Sequence, residues 1–429
     1  MNRRLDTLPA IALSALVLFS GACSPATEDL GPDDLGATEP TNAAPHLDAP
    51  YVVLVSFDGF RYDYQDMYAT PAFDRVAAAG VRADRMVPVF PSKTFPNHYS
   101  IATGMYAETH GLVGNTFWDP DRGATYSIGD REVVEDGSWY GGEPIWVTAE
   151  RQGMVAASYF FVGSEADVGG VRPSYWHRYD GSVPNETRVD AVLDWLAMPL
   201  ESRPHMITLY FSDTDDAGHR YGPESAEIAT TVAKVDADLG RLLDGIEGLP
   251  HGDQVYVVLV SDHGMLVADA TKADVVDPSL FPGVRFVELG PYGSVFVDEG
   301  GAARAVQVRD SLQDMLPGHG VYLRADVPER LHYSANPRIG DIVLVAAAEH
   351  TIVEPDRVPS SDYYTHGWDN QTDEMGAVFL AIGPGIAPGQ RIEAFESVHV
   401  YPFIAHVLGL QANPEADGRL EVLRPILGG

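Results

Sequence analysis

Carboxylate and imidazole side chains recur in this sequence at spacings that suit metal-assisted chemistry. Asp215-Asp-Ala-Gly-His219 sets a carboxylate and an imidazole four residues apart, which turns both to one side of a helical turn. Asp262-His263 places the same two ligand types side by side, and His366, in Thr365-His-Gly-Trp-Asp-Asn370, offers a third imidazole. Oxygen and nitrogen donors of this kind are what zinc accepts. Asp58 and Asp213 add carboxylates just beyond apolar runs. Taken singly, an Asp after an apolar run is in general a turn or cap residue, and one His among 14 is in general a surface or core residue. Three Asp (58, 215, 262) and three His together suit two metal ions, each with room for a substrate oxygen.

A hydroxyl-bearing stretch supplies the rest: Phe90-Pro-Ser-Lys-Thr94-Phe-Pro-Asn-His-Tyr99, followed by His110-Gly and Gly114-Asn115. A hydroxyl is a poor nucleophile at neutral pH, and no Ser-His-Asp elbow is visible to activate one, so a metal would have to lower its pKa. Asn115 alone reads as a turn residue after Gly114.

These residues need a scaffold that brings them together. Tyr51–Phe57, Met206–Phe211, Val255–Val260 and Ala377–Ile382 are continuously apolar and β-branched, the pattern of strands covered on both faces. Helical periodicity over Glu186–Leu196 and Ser225–Ile246 falls between them. The alternation predicts an α/β fold, a doubly wound, largely parallel sheet with helices on both faces. Asp58, Asp213, Asp215 and Asp262 follow predicted strands directly, and the carboxyl ends of such strands form the ligand crevice.

The 429 residues carry 62 Asp plus Glu against 28 Lys plus Arg, a net charge of −34, which argues against a nucleic-acid duplex as partner. A single Cys excludes an intramolecular disulfide and a cysteine-based zinc cluster. That Cys23 closes a secretory signal over residues 1–22, with Arg3 and Arg4 before an apolar run and Ser20-Gly-Ala22 before the Cys. The ending resembles a bacterial lipobox, although Ser20 stands where Leu is usual; cleavage to a free secreted protein is the alternative. Residues 23–48 read as the lipidated Cys and a flexible linker, and 49–429 as one domain. The chain is thus expected to be exported, as a lipoprotein of a bacterial cell envelope, periplasmic or outer-membrane, or else as a secreted protein. Its only membrane contact is the N-terminal lipid, and no obligate protein partner is inferred.

Six strings in order carry a family resemblance: Phe-Asp58-Gly-Phe-Arg, Lys-Thr94-Phe-Pro-Asn-His-Tyr, His110-Gly with Gly-Asn115, Asp215-x-x-Gly-His219-x-x-Gly-Pro, Ser-Asp262-His263-Gly-Met and His366-Gly-x-Asp-Asn. Over residues 50 to 412 the chain resembles the nucleotide pyrophosphatase/phosphodiesterases of the alkaline phosphatase superfamily, in their compact bacterial form. The resemblance implies two zinc ions, one held by Asp215, His219 and His366. The other would be held by Asp58, Asp262 and His263 with the oxygen of Thr94, the nucleophile that forms a phosphothreonyl intermediate. Asn115 would donate to a non-bridging phosphate oxygen. Phe95 and Tyr179 resemble the aromatic pair that sandwiches a nucleobase, and Tyr210 a further pocket residue; without the resemblance each reads as core packing. Phe161-Val-Gly-Ser164 replaces a common Trp-Pro-Gly-Ser, a change in the fine shape of the base pocket.

The implied activity is hydrolysis of a small nucleotide's phosphodiester or phosphoanhydride bond, releasing a nucleoside 5'-monophosphate. A lysophospholipid or choline phosphodiesterase and a phosphomonoesterase of the same superfamily are the enzymatic alternatives. A lipid-anchored binding protein without turnover is the non-enzymatic one, and it would be expected to have lost ligands. A sulfatase is excluded, because Ser92-Lys-Thr-Phe-Pro-Asn fails the x-Pro-x-Arg pattern that formylglycine needs.

Overall fold

The structure, a computed structural model, describes residues 39–428. The expected signal peptide and Cys23 lie outside the described residues. From Pro40 onward the chain forms one compact unit. Residues 40–48, expected to be linker, are docked onto it. The Asn42 side chain donates to the Arg203 carbonyl at 2.8 Å and accepts from the Val155 N–H at 2.8 Å, and His46 Nε2 meets the Gln152 carbonyl at 2.8 Å. Residues 40–48 thus belong to the domain, because polar side chains in this stretch satisfy backbone groups just before two strands and at a helix end.

Eight strands make the central sheet: β1 (Tyr51–Phe57), β2 (Val81–Ala83), β3 (Ala156–Tyr159), β4 (Tyr175–His177), β5 (Met206–Phe211), β6 (Val255–Val260), β7 (Phe379–Ile382) and β8 (Gln390–Ile392), in spatial order β8-β2-β7-β6-β1-β5-β3-β4. All pair in parallel except β7, which runs antiparallel to both β6 and β2. The expected largely parallel, doubly wound sheet is what the chain forms. Alternate residues of β1 feed two cores: Val52 and Leu54 enter one, Tyr51, Val53, Val55 and Phe57 the other, so every position of the strand is buried. The strand predicted from Ala377 begins at Phe379, since Ala377 bridges Arg61 and Met86 instead.

The helices fall close to their predicted bounds, at Asn185–Leu196 and Ala226–Glu247. Ser225 caps the second by accepting the Ile228 N–H at 3.1 Å, and its buried stripe runs Ile228, Val232, Val235, Leu239, Leu242, Ile246. Falling in the chain between β6 and β7, a smaller antiparallel sheet of Val284–Val287, Tyr292–Val297, Ile342–Val345 and Gly320–Leu323, with the helix Gly301–Met315, forms a third core. Periodicity in the sequence does not announce this layer, whose strands are short and interrupted.

Candidate active site

Strands β6, β1 and β5 lie side by side with their carboxyl ends level, Ser56 pairing with both Tyr210 and Val260. Asp58 leaves β1, Asp262 and His263 follow Ser261 after β6, and β5 runs through Ser212 into the helix Asp213–Tyr221, which carries Asp215 and His219 one turn apart. Gly59 lets the first of these loops pass: its φ is +67°, and a Cβ there would sit 2.8 Å from the Asp215 Cα. His366 arrives after the strand Tyr363–Thr365. Asp58, Asp215, His219, Asp262, His263 and His366 thus converge at one end of the sheet.

The histidine tautomers show what the cluster is built to hold. His219 Nδ1 lies 2.7 Å from the Tyr364 carbonyl, His263 Nδ1 2.9 Å from the Gly264 carbonyl and His366 Nδ1 2.8 Å from the Ser92 carbonyl. A carbonyl only accepts, so each Nδ1 carries the proton, and in the neutral ring each Nε2 presents a lone pair. Those lone pairs face carboxylate oxygens: His263 Nε2 lies 2.9 Å from Asp262 Oδ2 and 3.6 Å from Asp58 Oδ1, while His219 and His366 Nε2 lie 3.4 and 3.8 Å from Asp215 Oδ1. Asp58 Oδ1, Asp215 Oδ1 and Asp262 Oδ2 are themselves buried without a hydrogen-bond partner. A cation or a proton between them would satisfy such facing acceptors, and Asp215, His219 and His366 are spaced to hold a metal ion.

The second oxygen of two of these carboxylates is held in place. Asp58 Oδ2 accepts the Tyr210 hydroxyl at 2.6 Å, and Asp262 Oδ1 accepts the Gly59 N–H at 3.1 Å. Burial raises the Asp58 pKa well above the usual carboxylate range, with the charges of Asp262 and Asp215 adding to it. Burial also raises Asp215. At Asp262 burial is outweighed by His263 and His98, which hold its carboxyl well below that range. His263 is raised despite burial, chiefly by Asp262, whereas burial and His263 push His366 well down.

Thr94 opens the helix Thr94–Thr103, with its Oγ1 3.3 Å from His263 Nε2. An anion in front of this helix meets the positive end of its dipole, while Pro96 carries no N–H and the Phe95 N–H is taken by Asn115 Oδ1. The preceding loop is clamped by Asn97, whose Oδ1 accepts the Val89 N–H at 2.6 Å and whose Nδ2 donates to the Pro91 and Lys93 carbonyls at 3.0 and 2.9 Å. His98 ties the first turn to the sheet, with Nδ1 3.0 Å from the Thr94 carbonyl and Nε2 2.8 Å from Ser56 Oγ. Both its nitrogens are occupied, so it positions rather than ligates. Sequence reasoning passed over Asn97 and His98 as parts of a motif; their only signal was polar residues at i+3 and i+4 from the hydroxyl on a helix that proves buried. Asn115 lies beside this turn: its Oδ1 accepts the Phe95 N–H at 2.9 Å, which turns its amide NH2 away from that helix turn.

The aromatic residues divide. Tyr179 is 39% exposed at the rim, braced edge-on by Phe160 with ring centroids 5.2 Å apart. Phe95 packs against Tyr126 at 6.3 Å, and among the described residues no ring contact joins it to Tyr179. Tyr210 is buried, its ring edge-on to His98 and Tyr179 and its hydroxyl committed to Asp58. Its polar end thus serves the carboxylate and histidine cluster, while only its ring adjoins the rim residue Tyr179.

A second Asp and His cluster illustrates the contrast. His319 Nδ1 accepts the Ala347 N–H at 3.0 Å, so its Nε2 carries the proton and donates to Asp274 Oδ2 at 3.0 Å, and His350 Nδ1 reaches the same oxygen at 2.9 Å. This trio is satisfied by its own hydrogens and needs no cation.

A sequence model described as type I phosphodiesterase / nucleotide pyrophosphatase matches residues 52–369. Human ectonucleotide pyrophosphatase/phosphodiesterase family member 1 is 34% identical over 383 residues, 86% of this chain and 41% of that protein. Human family member 7 is 34% identical over 392 residues, covering 88% of this chain and 83% of the relative. A structure of murine ectonucleotide pyrophosphatase/phosphodiesterase 5, an inactive Thr-to-Ala form in complex with AMP, superposes with a TM-score of 0.82 at 30% identity over 89% of this chain and all of that one. The chain spans less than half the length of several of the curated relatives it matches.

Proposed function

The chain belongs to the type I phosphodiesterase / nucleotide pyrophosphatase family, and from that premise we propose that it is a zinc-dependent hydrolase releasing nucleoside 5'-monophosphates from nucleotide phosphodiesters or phosphoanhydrides. The observation that carries the reading is the set of histidine lone pairs aimed at bare, buried carboxylate oxygens beside a helix-opening hydroxyl. Asp215, His219 and His366 would hold one zinc, and Asp58, Asp262 and His263 the other, next to Thr94. Bound there, the ions supply Lewis-acid charge that lowers the pKa of a hydroxyl and balances charge on a phosphate.

Within this reading the chain's own residues divide the work. Thr94 Oγ1, once deprotonated, attacks phosphorus in line, the bond to the departing oxygen breaks, and a phosphothreonyl intermediate forms; water then displaces Thr94 from the opposite side. The Asn115 amide donates to a non-bridging phosphate oxygen as charge builds there. Asn97 and His98 keep the Thr94 turn rigid, and a misplacement of about 1 Å costs on the order of a hundredfold in rate. Phe95 and Tyr179 are proposed to contact the base, Tyr179 as the exposed platform at the rim and Tyr210 behind it.

The test is the purified zinc-loaded protein on three nitrophenyl esters: of thymidine 5'-monophosphate, of phosphate and of phosphorylcholine. Cleavage of the first far ahead of the others is the expected result. Preference for phosphorylcholine would move the substrate to choline phosphodiesters, and preference for the monoester would refute a diester pocket.

No helix of the described residues is long and apolar enough to cross a membrane. We read export and a lipid on Cys23 as the chain's link to a bacterial envelope. Cys23→Ala should release the protein from the membrane fraction; unchanged partition would dismiss the anchor.

A further inference from the structure

Glu288 stands in the turn between two strands of the small sheet, Val284–Val287 and Tyr292–Val297, far from the metal-ligand cluster in sequence. Its backbone is left-handed, φ +54°, a conformation that a Glu adopts only when its surroundings over-determine it. The reason is what its carboxylate reaches. Oε2 accepts the Thr116 N–H at 3.0 Å and the Tyr292 hydroxyl at 2.5 Å, and the Asn115 N–H lies near enough to help hold the carboxylate charged. Lys93, the neighbour of Thr94, lies close enough for its charge to act on Glu288 and for the charges of Glu288 and Asp215 to act back on it. Gly114 makes the approach possible, since a Cβ there would fall 2.4 Å from the Tyr292 hydroxyl and 2.6 Å from Glu288 Oε2.

The carboxylate thus holds the Asn115–Thr116 turn, and the Asn115 side chain in turn meets the Thr94 helix at the Phe95 N–H. On one side it fixes the Thr116 N–H next to Asn115; on the other the Lys93 ammonium is near enough for the two charges to act on each other. Asn115 has no other anchor of its side chain among the described residues than the Phe95 N–H on its Oδ1, so the direction of its amide NH2 follows from where the backbone turn is held. We propose that Glu288 is a positioning residue for the proposed phosphodiester reaction: it aims the Asn115 amide at the phosphoryl oxygen by tying the Asn115–Thr116 turn to the small sheet through the Thr116 N–H and Tyr292. The inference rests on the functional reading above and adds to it a residue from the small sheet. That sheet thereby takes part in the chemistry as a buttress.

The test is a double-mutant cycle read on the nitrophenyl ester of thymidine 5'-monophosphate, with zinc content measured alongside. Glu288→Gln keeps the shape and turns an amide hydrogen toward N–H groups. It should lower kcat about tenfold or more while KM changes less than about threefold and zinc content stays unchanged. On an Asn115→Ala background the same substitution should cost less than about twofold more, because its effect passes through the amide already removed. An equal loss on both backgrounds, or unchanged kcat, overturns the proposal. Should Glu288→Gln fail to fold, Tyr292→Phe removes one donor to the carboxylate without adding a polar group, and the comparison is the same. A loss seen only where Asn115 is intact supports the proposal, and an equal loss on both backgrounds or none overturns it. Failure of the functional reading looks different: Thr94→Ala and Asn115→Ala would then both retain turnover, and the proposal falls with it.

Discussion

Tyr210→Phe separates two roles for one side chain. The hydroxyl donates to Asp58 Oδ2 at 2.6 Å, while the ring packs edge-on against His98 and Tyr179 at centroid distances of 5.3 and 6.2 Å, so phenylalanine removes the donor and keeps the packing. A hydrogen bond to a charged acceptor is worth roughly 1.5–3 kcal/mol, and every ~1.4 kcal/mol is tenfold in an equilibrium constant. Asp58 without its donor should rotate and ligate less well, weakening zinc about 10- to 100-fold at the site it shares with Asp262 and His263. The site of Asp215, His219 and His366 should keep its affinity. Titration of the zinc-loaded protein with a competing chelator reads this as one early and one late release, where the wild type releases both late. Activity should return when free zinc is raised. Two unchanged zinc affinities with an increased KM for the nucleotide ester would refute the reasoning and place the hydroxyl in the base pocket.

The cluster of Asp274, His319 and His350 is satisfied by its own hydrogens, so His319→Ala should leave zinc at the wild-type stoichiometry by elemental analysis; a lost equivalent would show a third site. His110, buried with its Nδ1 accepting the Leu112 N–H and its Nε2 near Ser100 Oγ, has its pKa pushed down by burial to about 3. The unfolded chain therefore binds this proton first, and its contribution, complete above the ordinary value near 6.5, is lost as pH falls from there toward 3, at about 1.4 kcal/mol per pH unit. Denaturant midpoints of the chelator-treated protein should fall more steeply over that window than those of His110→Asn; equal slopes would contradict it.

What the sequence made legible were the groups whose chemistry is announced by a neighbour in the chain. Asp58, Asp215 and Asp262 are visible because buried parallel strands are continuous apolar runs, and the residue that follows such a run faces the crevice. His219 and His263 ride on them at short spacing. The residues that hold these groups in place were not legible. Tyr210 looks like any buried strand residue until the register sets its hydroxyl against Asp58. Glu288 meets Thr116 across a separation of 172 residues, through a turn whose left-handed backbone has no periodic signature. Residues 40–48 share the composition of a tether, and only Asn42 and His46, by finding backbone partners on the domain, make them part of it.

The most direct test of the account is to catch the covalent intermediate while counting the metals. Zinc-loaded protein is mixed with the nitrophenyl ester of thymidine 5'-monophosphate, quenched in acid during turnover and digested for peptide mass spectrometry, with zinc counted on the same preparation. The account predicts two zinc ions per chain, a thymidylyl group on Thr94, and in Thr94→Ala the same zinc count with neither adduct nor turnover. Turnover by Thr94→Ala, or an adduct on another residue, would contradict it.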